Sequence, residues 1–219
     1  RRRVSPGAGT GLLPPVTPQL SLPSPGTTTA FKTPQSFATE YDGVTRTKVT
    51  IPLVFPVAGR TSWSDTFLAS RGGGTRRHHG QDLMTPKMTR LVACFDGTVR
   101  VSRNGLGGNA LYIYGANGWY AYYAHINNDT PGTDDGRADP RYVFAPGIKN
   151  GVRVKAGQFV AYAGDSGNAE NTGAHLHFEL HKNGAVVNAA PSLARAQKLA
   201  APRPGAPILP ELLPSVGAE

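Results

Sequence analysis

A single cysteine, Cys94, stands in 219 residues. No internal disulfide is possible, and any metal must be held by nitrogen and oxygen. Its setting, Leu91-Val92-Ala93-Cys94-Phe95, reads as a buried strand rather than a reactive thiol. Long apolar runs are also missing: the best candidate, Ile51 to Ala58, is short and broken by proline, whereas a bilayer crossing needs roughly 18 to 20 residues. No membrane span is expected. Acidic residues are scarce, 14 against 23 lysines and arginines, for a formal charge of +9. That balance favours an anionic partner: nucleic acid, acidic lipid headgroups, or the polyanionic wall of a bacterium. The cluster Arg71, Arg76 and Arg77 lies in a glycine-rich stretch without interleaved aromatics, so no nucleic acid is expected and the cluster reads as a solvated basic rim.

What is present is uneven along the chain. Seven of the 19 prolines fall in residues 1–35 and five in the last nineteen. Residues 1–47 therefore read as a Pro/Ser/Thr/Gly-rich linker or leader remnant, 48–192 as the folded domain, and 193–219 as a short helix with a Pro/Ala-rich tail. The basic start Arg1-Arg2-Arg3 is not followed by an apolar helix, so no intact signal peptide is visible. Since the chain does not begin with Met, a removed signal stays open. Between the flanks, short β-branched or aromatic runs alternate with glycine and asparagine turns. Strands are predicted over Val49 to Phe55, Arg90 to Phe95, Thr98 to Ser102, Ala110 to Tyr114, Trp119 to Ala124, Val152 to Val154, Phe159 to Ala163 and His175 to His181. Asp96-Gly97, Asn117-Gly118 and Asn183-Gly184 read as hairpin turns. The predicted fold is all-β, with one helix from Pro191 to about Ala200. The stretch 127–151 is a long loop, expected at a cleft rim because it follows His125; its acids do not match a calcium loop.

Two chemistries alternate in Ala174-His175-Leu176-His177-Phe178-Glu179-Leu180. In a strand, His175 and His177 project to one face about 7 Å apart, while Leu176, Phe178 and Leu180 project to the other. In His78-His79-Gly80-Gln81-Asp82, a histidine and a carboxylate four residues apart converge if Gly80 lets the backbone turn. His78, Asp82 and His177 together are two imidazoles and a carboxylate, which leave one position open on a tetrahedral zinc. His79 is the rival ligand in its dipeptide. His175 is then a candidate base, and His125, at the end of Trp119-Tyr120-Ala121-Tyr122-Tyr123-Ala124, a group for the water or the developing oxyanion. His181 is expected to be solvent-exposed and inert. Glu179 is expected to be the charged end of a strand, with a role behind a ligand as the alternative.

These motifs, with Tyr123-Ala124-His125, Gly173-Ala174-His175-Leu176-His177-Phe178-Glu179 and connecting text such as Asp96-Gly97-Thr98-Val99 and Gly164-Asp165-Ser166-Gly167, resemble the lysostaphin-like (LytM-type) zinc endopeptidases of bacterial cell walls. The resemblance covers most of residues 50–190. It implies a compact antiparallel β domain of the duplicated hybrid motif type, with an open groove. It further implies one zinc per chain on His78, Asp82 and His177, with His125 and His175 as catalytic histidines. The substrate implied is a peptidoglycan stem-peptide cross-link or glycine-rich bridge, reached by a secreted or envelope monomer drawn to an anionic wall. Two other readings exist: a non-hydrolytic regulatory or wall-binding domain of the same fold, and a sugar phosphotransferase component, which gives Asp82 no role.

Overall fold

The computed structural model describes residues 49–200. Twelve strands run through them: β1 (Val57–Ala58), β2 (Ser70–Arg71), β3 (Arg76–Arg77), β4 (Gln81–Met84), β5 (Arg90–Val92), β6 (Gly97–Asn104), β7 (Gly108–Tyr114), β8 (Trp119–Ile126), β9 (Arg153–Val154), β10 (Phe159–Tyr162), β11 (His175–Lys182) and β12 (Ala185–Val187). The main sheet has the order β12-β11-β8-β7-β6-β9, with β4 paired to β11 beside it. A second sheet has the order β1-β5-β10, and β2 and β3 form a separate ribbon. Every strand pairing is antiparallel. The fold is all-β, as the alternation of the sequence predicts.

The two larger sheets share one apolar core. Leu176, Phe178 and Leu180 of β11 are wholly buried with Leu111, Ile113 and Tyr123 from the main sheet and Leu91 and Val160 from the second. The period-two pattern of β11 thus anchors one face and frees the other. Tyr123 ties the sheets together through its hydroxyl, which accepts from the Cys94 amide at 2.8 Å and donates to Val92 O at 3.0 Å. Cys94 lies in the same layer, where burial pushes its thiol up to about 12, in keeping with a packing role.

Some local signals are overridden by tertiary structure. Asp96-Gly97 has hairpin composition but joins β5 to β6, which lie in different sheets. Asn117-Gly118 and Asn183-Gly184 do turn hairpins, with positive φ at all four residues, as the favoured two-residue turn requires. Val49 to Phe55 is not a strand; Val54 makes an isolated bridge to Gln197. The helix is only α1 (Ala190–Leu193), because the chain then turns to place Gln197 beside Val54 and Leu199 against Val54, Ala58 and Val92. The linker read over 1–47 and the tail beyond 200 lie outside the described residues.

Tyr123→Phe keeps the ring and strands two buried backbone groups, so it should lower stability by about 1–3 kcal/mol. Urea denaturation would measure it; an unchanged midpoint would show that the hydroxyl does not join the sheets.

Candidate metal and catalytic site

Pairing of β4 with β11 sets Asp82 directly opposite His177. Gly80 makes that approach possible: a Cβ there would lie 2.4 Å from the Phe178 carbonyl oxygen. The glycine of the H-x-G-x-D motif is thus needed for close packing as much as for turning. His78 follows β3 and is 1% exposed. Its Nε2 lies 2.9 Å from Asp82 Oδ1 and 3.0 Å from His177 Nδ1, which is itself 3.0 Å from Asp82 Oδ1. Three ligand-type atoms converge on one point. His79 is exposed and stays outside this cluster.

The remaining atoms of these side chains are engaged from behind. His78 Nδ1 lies 3.1 Å from Thr66 O, 3.0 Å from Thr66 Oγ1 and 3.1 Å from Arg71 Nη2; in the tautomer whose Nδ1–H donates to Thr66 O, the Nε2 lone pair is directed inward. Glu179 Oε1 lies 2.9 Å from His177 Nε2, which likewise frees Nδ1. Arg71 Nη2 donates to Asp82 Oδ2 at 2.7 Å. Burial opposes ionisation of Asp82, but hydrogen bonds from His177 and His78 outweigh it and hold the carboxyl far below its usual range. For His177, burial opposes the charged form, yet the bonds to Asp82 and Glu179 prevail and raise its pKa. Once the protons that bond Asp82 leave the inward nitrogens, two imidazole lone pairs and one carboxylate fit a borderline divalent cation such as zinc, and the Thr66 and Glu179 contacts supply the outer support such ligands need.

Two expectations are corrected at this point. Glu179 is not a free strand end, because its other oxygen meets His181 Nε2 at 2.7 Å. Burial opposes its charge, but hydrogen bonds from both histidines push it down to about 2. His181 is not an exposed, inert residue: it stacks on Tyr120, with ring centroids 4.4 Å apart and planes 8° apart. Spacing alone could have signalled this, since residues 177, 179 and 181 share one strand face.

His125 and His175 stand beside the cluster with ring centroids 4.8 Å apart. Strict alternation after buried Tyr123 would point His125 into the core. Instead β8 carries one extra residue where Asn109 pairs with Ile126 and Leu111 with Tyr123, and His125 takes φ of 60°. Such a bulge re-aims a side chain, and here it turns the imidazole into the cleft. His125 Nδ1 bonds Ser166 O at 2.8 Å, and His175 Nδ1 bonds Gly173 O at 2.7 Å. Carbonyls only accept, so both rings carry their proton on Nδ1 and present a basic Nε2. Burial lowers the His125 pKa to about 4.

A cavity of about 510 Å³ opens over this group, lined by His78, His175 and His177 together with Arg76, Arg77 and Tyr122. The 127–151 loop was expected at the rim, yet no described residue of it lines the cavity. It is fastened elsewhere by Lys87, whose Nζ lies 2.7 Å from Asp129 Oδ2, 2.7 Å from Asp134 Oδ1 and 2.9 Å from Asp165 Oδ2.

Residues 141–189, which include β11 with His175 and His177, match the profile described as Peptidase family M23. The chain is 31% identical over 138 residues to the L-Ala--D-Glu endopeptidase of Bacillus subtilis, covering 59% of this chain and 38% of that protein. Over 117 residues it is 32% identical to the peptidoglycan DD-endopeptidase ShyC of Vibrio cholerae, covering 53% of this chain and 23% of that protein. The chain is thus similar to members of peptidase family M23. Among solved structures it is similar to a putative glycyl-glycine endopeptidase lytM of Ruminococcus gnavus, with 28% identity and a TM-score of 0.52 over 68% of this chain and 62% of that one. The lysostaphin-like resemblance of the motifs is therefore shown. The chain spans well under half the length of these curated relatives.

The buried, carbonyl-bound His125 ring should remain neutral down to about pH 4, with its proton on Nδ1. Long-range ¹⁵N–¹H correlation spectra across a pH series would report both, and a midpoint near the ordinary value of about 6.5 would contradict the assigned environment.

Proposed function

We propose that this chain is a zinc-dependent endopeptidase of peptidase family M23 that hydrolyses peptide bonds in bacterial peptidoglycan, outside the cytoplasm. The observation that carries the reading is the meeting of His78 Nε2, Asp82 Oδ1 and His177 Nδ1, each 2.9–3.0 Å from the others, with their outer atoms engaged by Thr66, Arg71 and Glu179. His78, Asp82 and His177 would hold one zinc. When bound, zinc supplies Lewis acidity, polarising a peptide carbonyl and lowering the pKa of a water from about 15.7 to near 7.

The chain's own groups handle the proton. His175 Nε2, 3.9 Å from Asp82 Oδ1, accepts it from the attacking water, because its Nδ1–H is held by Gly173 O. His125 has an unprotonated Nε2 at rest and so cannot at first donate to an oxyanion. Once one proton has entered the His125–His175 pair, the protonated ring becomes a donor to the tetrahedral intermediate or the leaving amine. Arg71 holds the second oxygen of Asp82, which fixes the carboxylate's orientation. The names of the relatives, a peptidoglycan DD-endopeptidase and an L-Ala--D-Glu endopeptidase, support a wall-peptide substrate and extracytoplasmic action. The +9 charge suits attachment to an anionic wall, an attraction that salt weakens.

Purified protein should contain about one zinc per chain by mass spectrometry. His78→Ala and Asp82→Ala should lose it, whereas His175→Ala should keep it with turnover reduced by about 10²–10⁴-fold. Glu179→Gln, which loses one of two acceptors, should weaken zinc binding by about 10–100-fold in a chelator competition. Zinc-loaded protein that releases no peptides from several peptidoglycan types would refute the reading.

A further inference from the structure

The ribbon formed by β2 and β3 carries three arginines to the cavity wall, and their situations differ. Arg71 is occupied by Asp82. Arg76 Nη2 faces only a neutral group, the Asn168 amide oxygen at 3.0 Å, in the amide orientation whose nitrogen donates to Leu106 O at 2.7 Å. Arg77 is exposed, and among the described residues neither Arg76 nor Arg77 forms an ion pair. Gly72, Gly73 and Gly74 at the ribbon tip have φ of 57°, 65° and 96°, a region that favours glycine. That tip has no large side chains to shield the guanidinium groups.

The acids of the cavity cannot neutralise them either. Asp82 is shared by Arg71, His78 and His177, and Glu179 by His177 and His181. Two positive charges therefore line a cavity whose negative charges are already engaged. A planar guanidinium donates two parallel hydrogen bonds to a carboxylate or a phosphate, so the complementary occupant is anionic, and on a peptide substrate the matching group is a carboxylate.

Resting on the peptidase reading, we infer that Arg76 and Arg77 select the substrate: the preferred peptide carries a free carboxylate beside the scissile bond, and a neutral glycine-rich peptide is a poor one. Among the described residues neither arginine side chain bonds to the Asp82 cluster or to the His125–His175 pair. Their contribution falls on substrate affinity and its salt dependence.

The test uses the full chain and two synthetic wall-stem peptides that differ only in one D-glutamyl α-carboxyl, free in one and amidated in the other. Calorimetry should show the acid form binding about tenfold more tightly in low salt, with the gap shrinking as salt rises. Arg76→Gln/Arg77→Gln should abolish the gap and leave the circular dichroism unchanged, and Arg76→Lys/Arg77→Lys should restore part of it. Equal binding of the two peptides, or a gap that survives in the Gln double variant, would overturn the inference. Cleavage is scored separately. Acid preference without cleavage of either peptide would leave the inference standing and count against the peptidase reading. Cleavage of both at equal KM would do the reverse.

Discussion

The antiparallel register between β4 and β11 is the constraint on which the site depends. It sets Asp82 across from His177, and since side chains in a strand alternate, a slip of one residue would turn both into the core and bring Leu83 and Phe178 out. The core resists that slip. Leu176, Phe178, Leu180 and Leu83 are all wholly buried, so apolar packing on one face is what holds polar atoms together on the other. Gly80 completes the arrangement by letting the 78–82 segment lie against the β11 backbone.

Around this frame, each imidazole has one nitrogen committed and one available. Thr66, Glu179, Ser166 and Gly173 supply the oxygens for His78, His177, His125 and His175. Buried polar groups are costly unless bonded, and these bonds also settle which nitrogen faces the cleft. The four histidines therefore arrive preorganised, two toward a carboxylate and two with Nε2 facing the cleft. Glu179 extends this order one step further, to His181 stacked on Tyr120.

Much of this was legible because it follows from short-range periodicity. The two faces of β11 could be read from seven residues, and the residue types in H-x-G-x-D pointed to a cation-binding cluster. What escaped the sequence depends on partners distant along the chain. The bulge that turns His125 outward is a register shift against β7, with no local marker in Tyr123-Ala124-His125. Asp96-Gly97 has hairpin chemistry, but tertiary packing sends its flanking strands to different sheets. Lys87 draws the 127–151 loop away from the cleft through Asp129, Asp134 and Asp165, which sequence order does not show to be neighbours. The bridging role of Glu179 is visible in the spacing of residues 177, 179 and 181, although a charged residue late in a strand is more often solvated.

The proposed zinc belongs at the His78–Asp82–His177 cluster. Two groupings of metal-ligand type occur among the described residues, that one and Asp129–Asp134–Glu170. In the second, Asp129 and Asp134 are already bridged by the Lys87 ammonium. Anomalous diffraction at the zinc edge from crystals of the zinc-loaded protein separates them. One strong peak is expected, in contact with His78 Nε2, Asp82 Oδ1 and His177 Nδ1. A peak confined to the Asp129 group, or none at the histidines, would contradict it.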